Sequence, residues 1–197
     1  MRIIILGAGR VGSSVAEALV SEANDITVID QDAARVAELQ GSFDLRGLVG
    51  NASAPSVLRE AGMEDADLLI AVTATDETNL VACKIAADLF NTPNRIARVR
   101  NVELREHPQL TGEAGFRVNH IIWPEQSVTD ALLRLVEFPE ALQVMEFAGG
   151  RVQLVAVRAY AGGPLVSHPI QDLRKHIPNV DARIVAVYRN DHSLKCE

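Results

Sequence analysis

Hydrophobic and polar positions change period several times along this chain, and each change marks an element. Arg2 to Leu6 is a short isoleucine-rich run, the pattern of a buried strand. From Arg10 to about Val20 the apolar positions recur at helical spacing. Ile26 to Ile29 is again strand-like and ends on Asp30, and Asp32–Gln40 reads as a helix. A third strand, Leu45–Val49, runs into Gly50-Asn51-Ala52-Ser53. Pro55 opens a short helix through Ala61, since a first-turn proline loses no intrahelical hydrogen bond. Asp67–Val72 is a fourth strand with Thr73-Ala74-Thr75-Asp76 as its exit, and Glu77–Phe90 is a helix. Asn91-Thr92-Pro93-Asn94 is a stop and turn. Arg95–Val99 and Val118–Ile122 complete six strands.

Strands alternating with helices through short links imply parallel pairing and right-handed crossovers. The expected fold class is therefore α/β, a Rossmann-like doubly wound parallel sheet. After Trp123-Pro124 the pattern changes. Glu125–Glu137 is helical, with an apolar stripe of Val128, Leu132, Leu133, Leu135 and Val136 that needs cover, from its own domain or from a second subunit. Leu142–Phe147 and Arg151–Arg158 flank Gly149-Gly150 as a hairpin, Pro169–Lys175 suits a short helix, and Ala182–Tyr188 suits a strand. Too few strands follow to close a small α+β domain. The expected organisation is a nucleotide-binding domain over 1–123, a crossover helix over 124–138 and a truncated α+β subdomain over 139–197.

The first turn of that sheet carries candidate chemistry. Gly7, Gly9 and Gly12 fall in the G-x-G-x-x-G spacing between a strand and a helix. Gly7 permits the tight turn, Gly9 leaves room for a pyrophosphate, and Gly12 lets helix and strand pack closely. The helix start adds unpaired N–H groups and the positive end of its dipole. Asp30 follows about twenty residues later, where a ribose-binding carboxylate belongs. The same residue also suits a helix N-cap, and both roles can hold at once. Ligands of such sheets lie outside the carboxyl ends of the strands. That rule gathers Gly7–Gly12, Asp30-Gln31, Asn51-Ala52 and Thr73–Thr75 into one site, with Arg98 and Arg100 nearby. The two arginines alternate and so share a face, either toward the crevice or as a surface pair on an edge strand. Asp76 reads as a cap for the helix that follows it.

Composition narrows the function classes. The 197 residues carry a net charge of −7, which disfavours general nucleic-acid binding and adsorption to anionic lipid. No window approaches the run of about 18 apolar residues needed for a membrane span. Cys83 and Cys196 have no metal or redox spacing, which fits a reducing, cytoplasmic setting. The five histidines make no zinc pair and sit beside no acid in the manner of a dehydrogenase base. A small NAD-dependent oxidoreductase remains the alternative to a binding module, but its substrate half has no recognisable proton donor.

LGAGRVG, ITVID, AVTATDETN and NTPNRIARVR together resemble the RCK (KTN) domain family, whose members regulate potassium channels and Trk-type transporters. The likeness covers most of Met1–Phe138, and the final third resembles the start of an RCK C-terminal subdomain. The resemblance implies a peripheral regulatory subunit on the cytoplasmic face of a Trk-type membrane potassium transporter, a role that needs no catalytic base; no residue spacing selects a metal site. It implies NAD(H) as ligand and, in that family, also ATP or ADP. It implies homo-oligomers, dimers and then rings, paired through the linker helix and C-subdomain. The family's nucleotide contacts map onto Gly7, Ala8, Gly9, Arg10, Val11, Gly12, Asp30, Asn51, Ala52, Thr73 and Arg98.

Overall fold

The computed structural model describes residues 1–20, 23–137, 139, 141–163, 166, 183–189 and 192–194. The first part alternates as β1 (Arg2–Leu6), α1 (Arg10–Val20), β2 (Asp25–Asp30), α2 (Ala33–Ser42), β3 (Arg46–Val49), α3 (Pro55–Glu60), β4 (Leu68–Ala71), α4 (Asp76–Phe90) and β5 (Asn94–Arg98). Two one-turn helices, α5 (Glu103–Glu106) and α6 (Pro108–Thr111), precede β6 (His120–Ile122). The sequence pattern predicted neither of them, because four residues are too few to show a period.

The six strands form one parallel sheet in the order β3-β2-β1-β4-β5-β6. The isoleucine run is central: Ile3 to Leu6 are all buried. Its alternation splits the core into two. Ile3 and Ile5 join Ala16 and Leu39, from α1 and α2, on one face. Ile4 and Leu6 join Leu58, Leu80, Ala86 and Phe90, from α3 and α4, on the other. A sheet covered on both faces needs strands that are apolar at every position, which explains the continuous run in place of alternation. Cys83 lies in the second layer, fully buried, and burial pushes its thiol up to about 12 against a smaller opposing pull from the charge of Arg95. It is a core residue with no thiolate chemistry at neutral pH.

The strand order reverses at β1, with β2 and β3 on one side and β4 to β6 on the other. The carboxyl ends of β1 and β4 therefore diverge in their connections and leave a crevice.

By contacts the chain divides into Met1–Asp130 and Ala131–Glu197. The division falls inside α7 (Pro124–Glu137), whose Val128, Leu132, Leu133 and Val136 are all exposed. The second unit contains an antiparallel hairpin of β7 (Ala141–Phe147) and β8 (Val152–Val157). A second antiparallel pair joins β9 (Val187–Arg189) to β10 (His192–Leu194). The strand expected over Ala182–Tyr188 is corrected here: residues 183–186 are irregular and β9 begins at Val187. The helix expected over Pro169–Lys175 lies outside the described residues. Among the described residues no helix is long and apolar enough to cross a membrane.

Candidate nucleotide cleft

The loop after β1 is shaped by two glycines for different reasons. Gly7 has φ +103, in the left-handed region that side chains avoid, and a Cβ there would meet Thr73 Cα and the Val72 carbonyl at 3.0 Å. Gly12 sits in the first turn of α1, where a Cβ would lie 1.8 Å from the Gly7 carbonyl oxygen. The helix therefore starts closer to the strand than any other residue allows. Gly9 differs, because the space beside it is open. The expected features of turn, close packing and open space thus fall on separate positions, and α1 begins directly after the open one.

Asp30 closes the loop from β2. One carboxylate oxygen accepts the Ala8 N–H at 2.6 Å, and the other accepts the Asp32 N–H at 2.9 Å. A carboxylate has about four lone-pair sites, so each oxygen keeps capacity for a further donor. The N-cap of α2 is Asp32, which accepts from Ala34 and Arg35. Capping is therefore done by a neighbour, and Asp30 is left at the cleft.

A cleft of about 970 Å³, within the range of small-molecule sites, lies over these ends. Its wall runs from Gly7, Gly9, Arg10 and Val11 through Asp30 and Gln31 to Gly50 and Ala52, and on the other side through Thr73, Thr75, Arg98 and Arg100. Of the expected contacts, Ala8, Gly12 and Asn51 do not line it. Ala8 reaches it only through its bond to Asp30, and the exposed Asn51 accepts from the Ser53 N–H and hydroxyl at 3.0 and 2.9 Å. Sequence reasoning missed Arg35, Ser14, Val15 and Ala18. Val11, Ser14, Val15 and Ala18 recur at helical spacing on the face of α1 opposite the buried Gly12 and Ala16, a signal that was present.

Arg98 and Arg100 both line the cleft, Arg98 as the last residue of β5 and Arg100 from the exit loop beyond it, so the pair does not alternate on one strand as expected. Arg98 donates from Nη2 to the Thr73 carbonyl, and its buried Nε has no hydrogen-bond partner. Burial and then the like charge of Arg100 lower its pKa, opposed by Asp76 and Glu125. It stays charged at neutral pH. The cleft thus gathers four arginines (Arg10, Arg35, Arg98 and Arg100) around one carboxylate, in a chain whose overall charge is −7. A local field opposite in sign to the whole chain fits a polyanionic ligand with a hydroxyl-bearing segment: phosphates for the arginines and helix start, a ribose for Asp30.

Asp76 differs from expectation. The residue before α4 is Thr75, which makes no side-chain cap. Asp76 instead accepts the Arg100 and Asn101 N–H groups, both at 2.8 Å, across from the end of β5.

The family model of the TrkA-N domain matches residues 3–124, which take in all six strands but for Arg2, and the cleft. The chain belongs to the TrkA-N domain family. It is similar to the Trk system potassium uptake protein TrkA of Vibrio alginolyticus, 52% identical over 196 residues, which are 99% of this chain and 43% of that protein. The chain therefore spans less than half the length of this relative. Among solved structures it resembles the TrkA-N domain of the inner membrane protein ybaL from Escherichia coli. The TM-score is 0.61 at 24% identity, over 68% of this chain and 96% of that one. It also resembles the GsuK channel bound to NAD, with a TM-score of 0.57 at 18% identity, over 74% of this chain and 25% of that one. At such identities the two structures show the fold, and this TrkA-N sheet shares it.

Proposed function

We propose that this chain is the nucleotide-sensing part of a regulatory subunit of a Trk-type potassium uptake system. The observation that carries the reading is the cleft itself, with Asp30 at the end of β2, open space at Gly9 and four arginines around it. Asp30 takes the two hydroxyls of an adenosine ribose, the start of α1 takes the pyrophosphate, and Thr73, Arg98 and Arg100 meet what lies beyond. NAD(H) fits this layout, and ATP or ADP fits the same ribose and phosphate positions. The names of the relatives support potassium uptake, and the NAD-bound GsuK channel supports a nucleotide in a fold of this type.

The protein is read as a binder and not a catalyst. The residues that line the cleft include no His, Lys, Tyr or Cys to move a proton to or from a substrate, and the one carboxylate already accepts backbone N–H groups. Regulation needs only that the ligand bind two arrangements of an assembly unequally. The exposed apolar residues of α7 and of β7 and β8 supply surfaces for homo-oligomers, and the membrane transporter is the partner on the cytoplasmic side.

Mass spectrometry of the chain after denaturation, beside a hydride-exchange assay with varied alcohols and ketones, tests this reading. The expected result is an adenine nucleotide released without turnover. Turnover of any substrate would replace the regulator with the oxidoreductase.

A further inference from the structure

The segment Asp76-Glu77-Thr78-Asn79 at the head of α4 contains a side chain that the nucleotide reading leaves unused. Asn79 is fully buried and does not line the cleft. Its Oδ1 accepts both the Thr73 N–H at 2.8 Å and the Thr73 hydroxyl at 2.7 Å. Its Nδ2 donates to the Arg98 carbonyl at 2.8 Å. Arg98 returns a bond from its guanidinium to the Thr73 carbonyl. One amide therefore ties the ends of β4 and β5 together, and Asp76 holds Arg100 and Asn101 in the exit from β5 from the same helix turn.

We propose that Asn79 is a positioning residue for the half of the nucleotide that lies beyond the first phosphate. The inference rests on the nucleotide reading of the cleft. Its basis is the strand order. Asp30, Gly50 and Ala52 follow β2 and β3 on one side of the glycine loop, whereas Thr73, Arg98 and Arg100 follow β4 and β5 on the other. A ligand with its ribose on Asp30 and its first phosphate at α1 reaches β4 and β5 only with its more distant groups. Asn79 touches neither side of the ligand directly, so it acts through Thr73 and Arg98. A buried amide with both its functions satisfied sets those two residues more rigidly than a solvated loop would. Without it the Arg98 guanidinium loses its fixed backbone frame, and the Thr73 hydroxyl is left with the Thr75 carbonyl, at 3.2 Å, as its acceptor.

The test is calorimetric titration of AMP, NADH and ATP into the full chain, into Asn79→Ser, into Arg98→Ala and into the double variant, with thermal unfolding alongside. Asn79→Ser is expected to weaken NADH and ATP by about tenfold, or ~1.4 kcal/mol, and AMP by less than about twofold. Because Asn79 acts in part through Arg98, the loss of NADH affinity in the double variant is expected to be smaller than the two single losses combined. Equal loss for all three ligands would mark Asn79 as structural only and overturn the inference. So would unchanged NADH and ATP binding, or full additivity with Arg98→Ala. If Asn79→Ser does not fold, Asp76→Ala, at the partly exposed head of the helix, is expected to give the same selective loss to a smaller degree, and an even loss there overturns the proposal equally. A wild-type chain that binds none of the three ligands would instead remove the nucleotide reading itself, a result readily told apart from the others.

Discussion

The central strand β1 and the hairpin strand β8 are of similar length and similarly apolar, yet their fates differ. Four of the five residues of β1 are buried, while β8 has no buried residue and β7 none either. Leu142, Phe147, Val152 and Val157 are each about half exposed or more. The difference lies in what each sequence is provided with. Around β1 the chain supplies parallel neighbours on both sides and a helix layer on each face, all complete by Phe90. The hairpin is a two-stranded ribbon, an arrangement marginal in water by itself. Among the described residues, the first unit buries its strands and the second leaves the apolar side chains of its hairpin exposed or half-buried.

The largest expected effect tests the first half of that contrast. Leu69→Ala, in the middle of β4 with no exposed surface, should lower the unfolding free energy by about 3 kcal/mol, read from urea denaturation. Leu154→Ala, in β8, should cost less than about 0.5 kcal/mol in dilute solution. Equal losses would mean that the hairpin is packed as tightly as the sheet. Next in size is Gly12→Ala, whose new methyl must displace the Gly7 carbonyl, at a cost of about 1–3 kcal/mol and with loss of nucleotide binding. The same change at Gly9 meets open space and should leave the fold intact, so a matching melting temperature for Gly9→Ala and Gly12→Ala would contradict the loop geometry.

Cys83 gives a pH signature confined to the first unit. Its folded pKa of about 12 is above the ordinary 9.0, so the folded state holds a proton that the unfolded chain releases. Stability is complete below pH 9 and falls as pH rises toward 12, by up to about 1.4 kcal/mol per pH unit. Cys83→Ala should flatten that alkaline slope in denaturation curves collected from pH 8 to 10.5; an unchanged slope would assign it to other groups. The smallest effect belongs to α7. Polar replacement of Leu132 and Val136, both more than half exposed, should change unfolding by less than about 0.5 kcal/mol while shifting the light-scattering mass toward monomer. An oligomer that survives the change would place its interface elsewhere.

How far the sequence revealed this arrangement depended on the range of each contact. The β1 turn, α1 and Asp30 were legible because their signals are local: a buried run, three spaced glycines and an acid at the end of the next strand. Arg98 and Arg100 were legible as a nearby pair, but not by strand alternation, since β5 ends at Arg98 and Arg100 lies in its exit loop. Asn79 was not legible. It is a polar residue inside a helix whose partners lie 6 and 19 positions away, a pairing that only the fold brings about. Asp76 misled for the same reason, because capping is its commonest use and its real partners are 24 and 25 residues on. Asn51 sits beside the cleft in sequence order, yet its side chain accepts from the Ser53 hydroxyl and does not line the cleft. In the hairpin the strands were legible and their exposure was not, since alternation tells that a face is apolar and not what covers it.

The grip of Asp30 on an unphosphorylated ribose is the central claim, and one titration addresses it. NADH and NADPH are titrated calorimetrically into the full chain and into Asp30→Ala. The expected result is NADH binding at one site per chain, NADPH at least about tenfold weaker through repulsion of its 2′-phosphate, and a variant that loses NADH affinity and the discrimination together. Equal affinity for both cofactors in the wild type, unchanged by Asp30→Ala, would show that the carboxylate only braces the loop through Ala8 and Asp32 and that the ligand lies elsewhere.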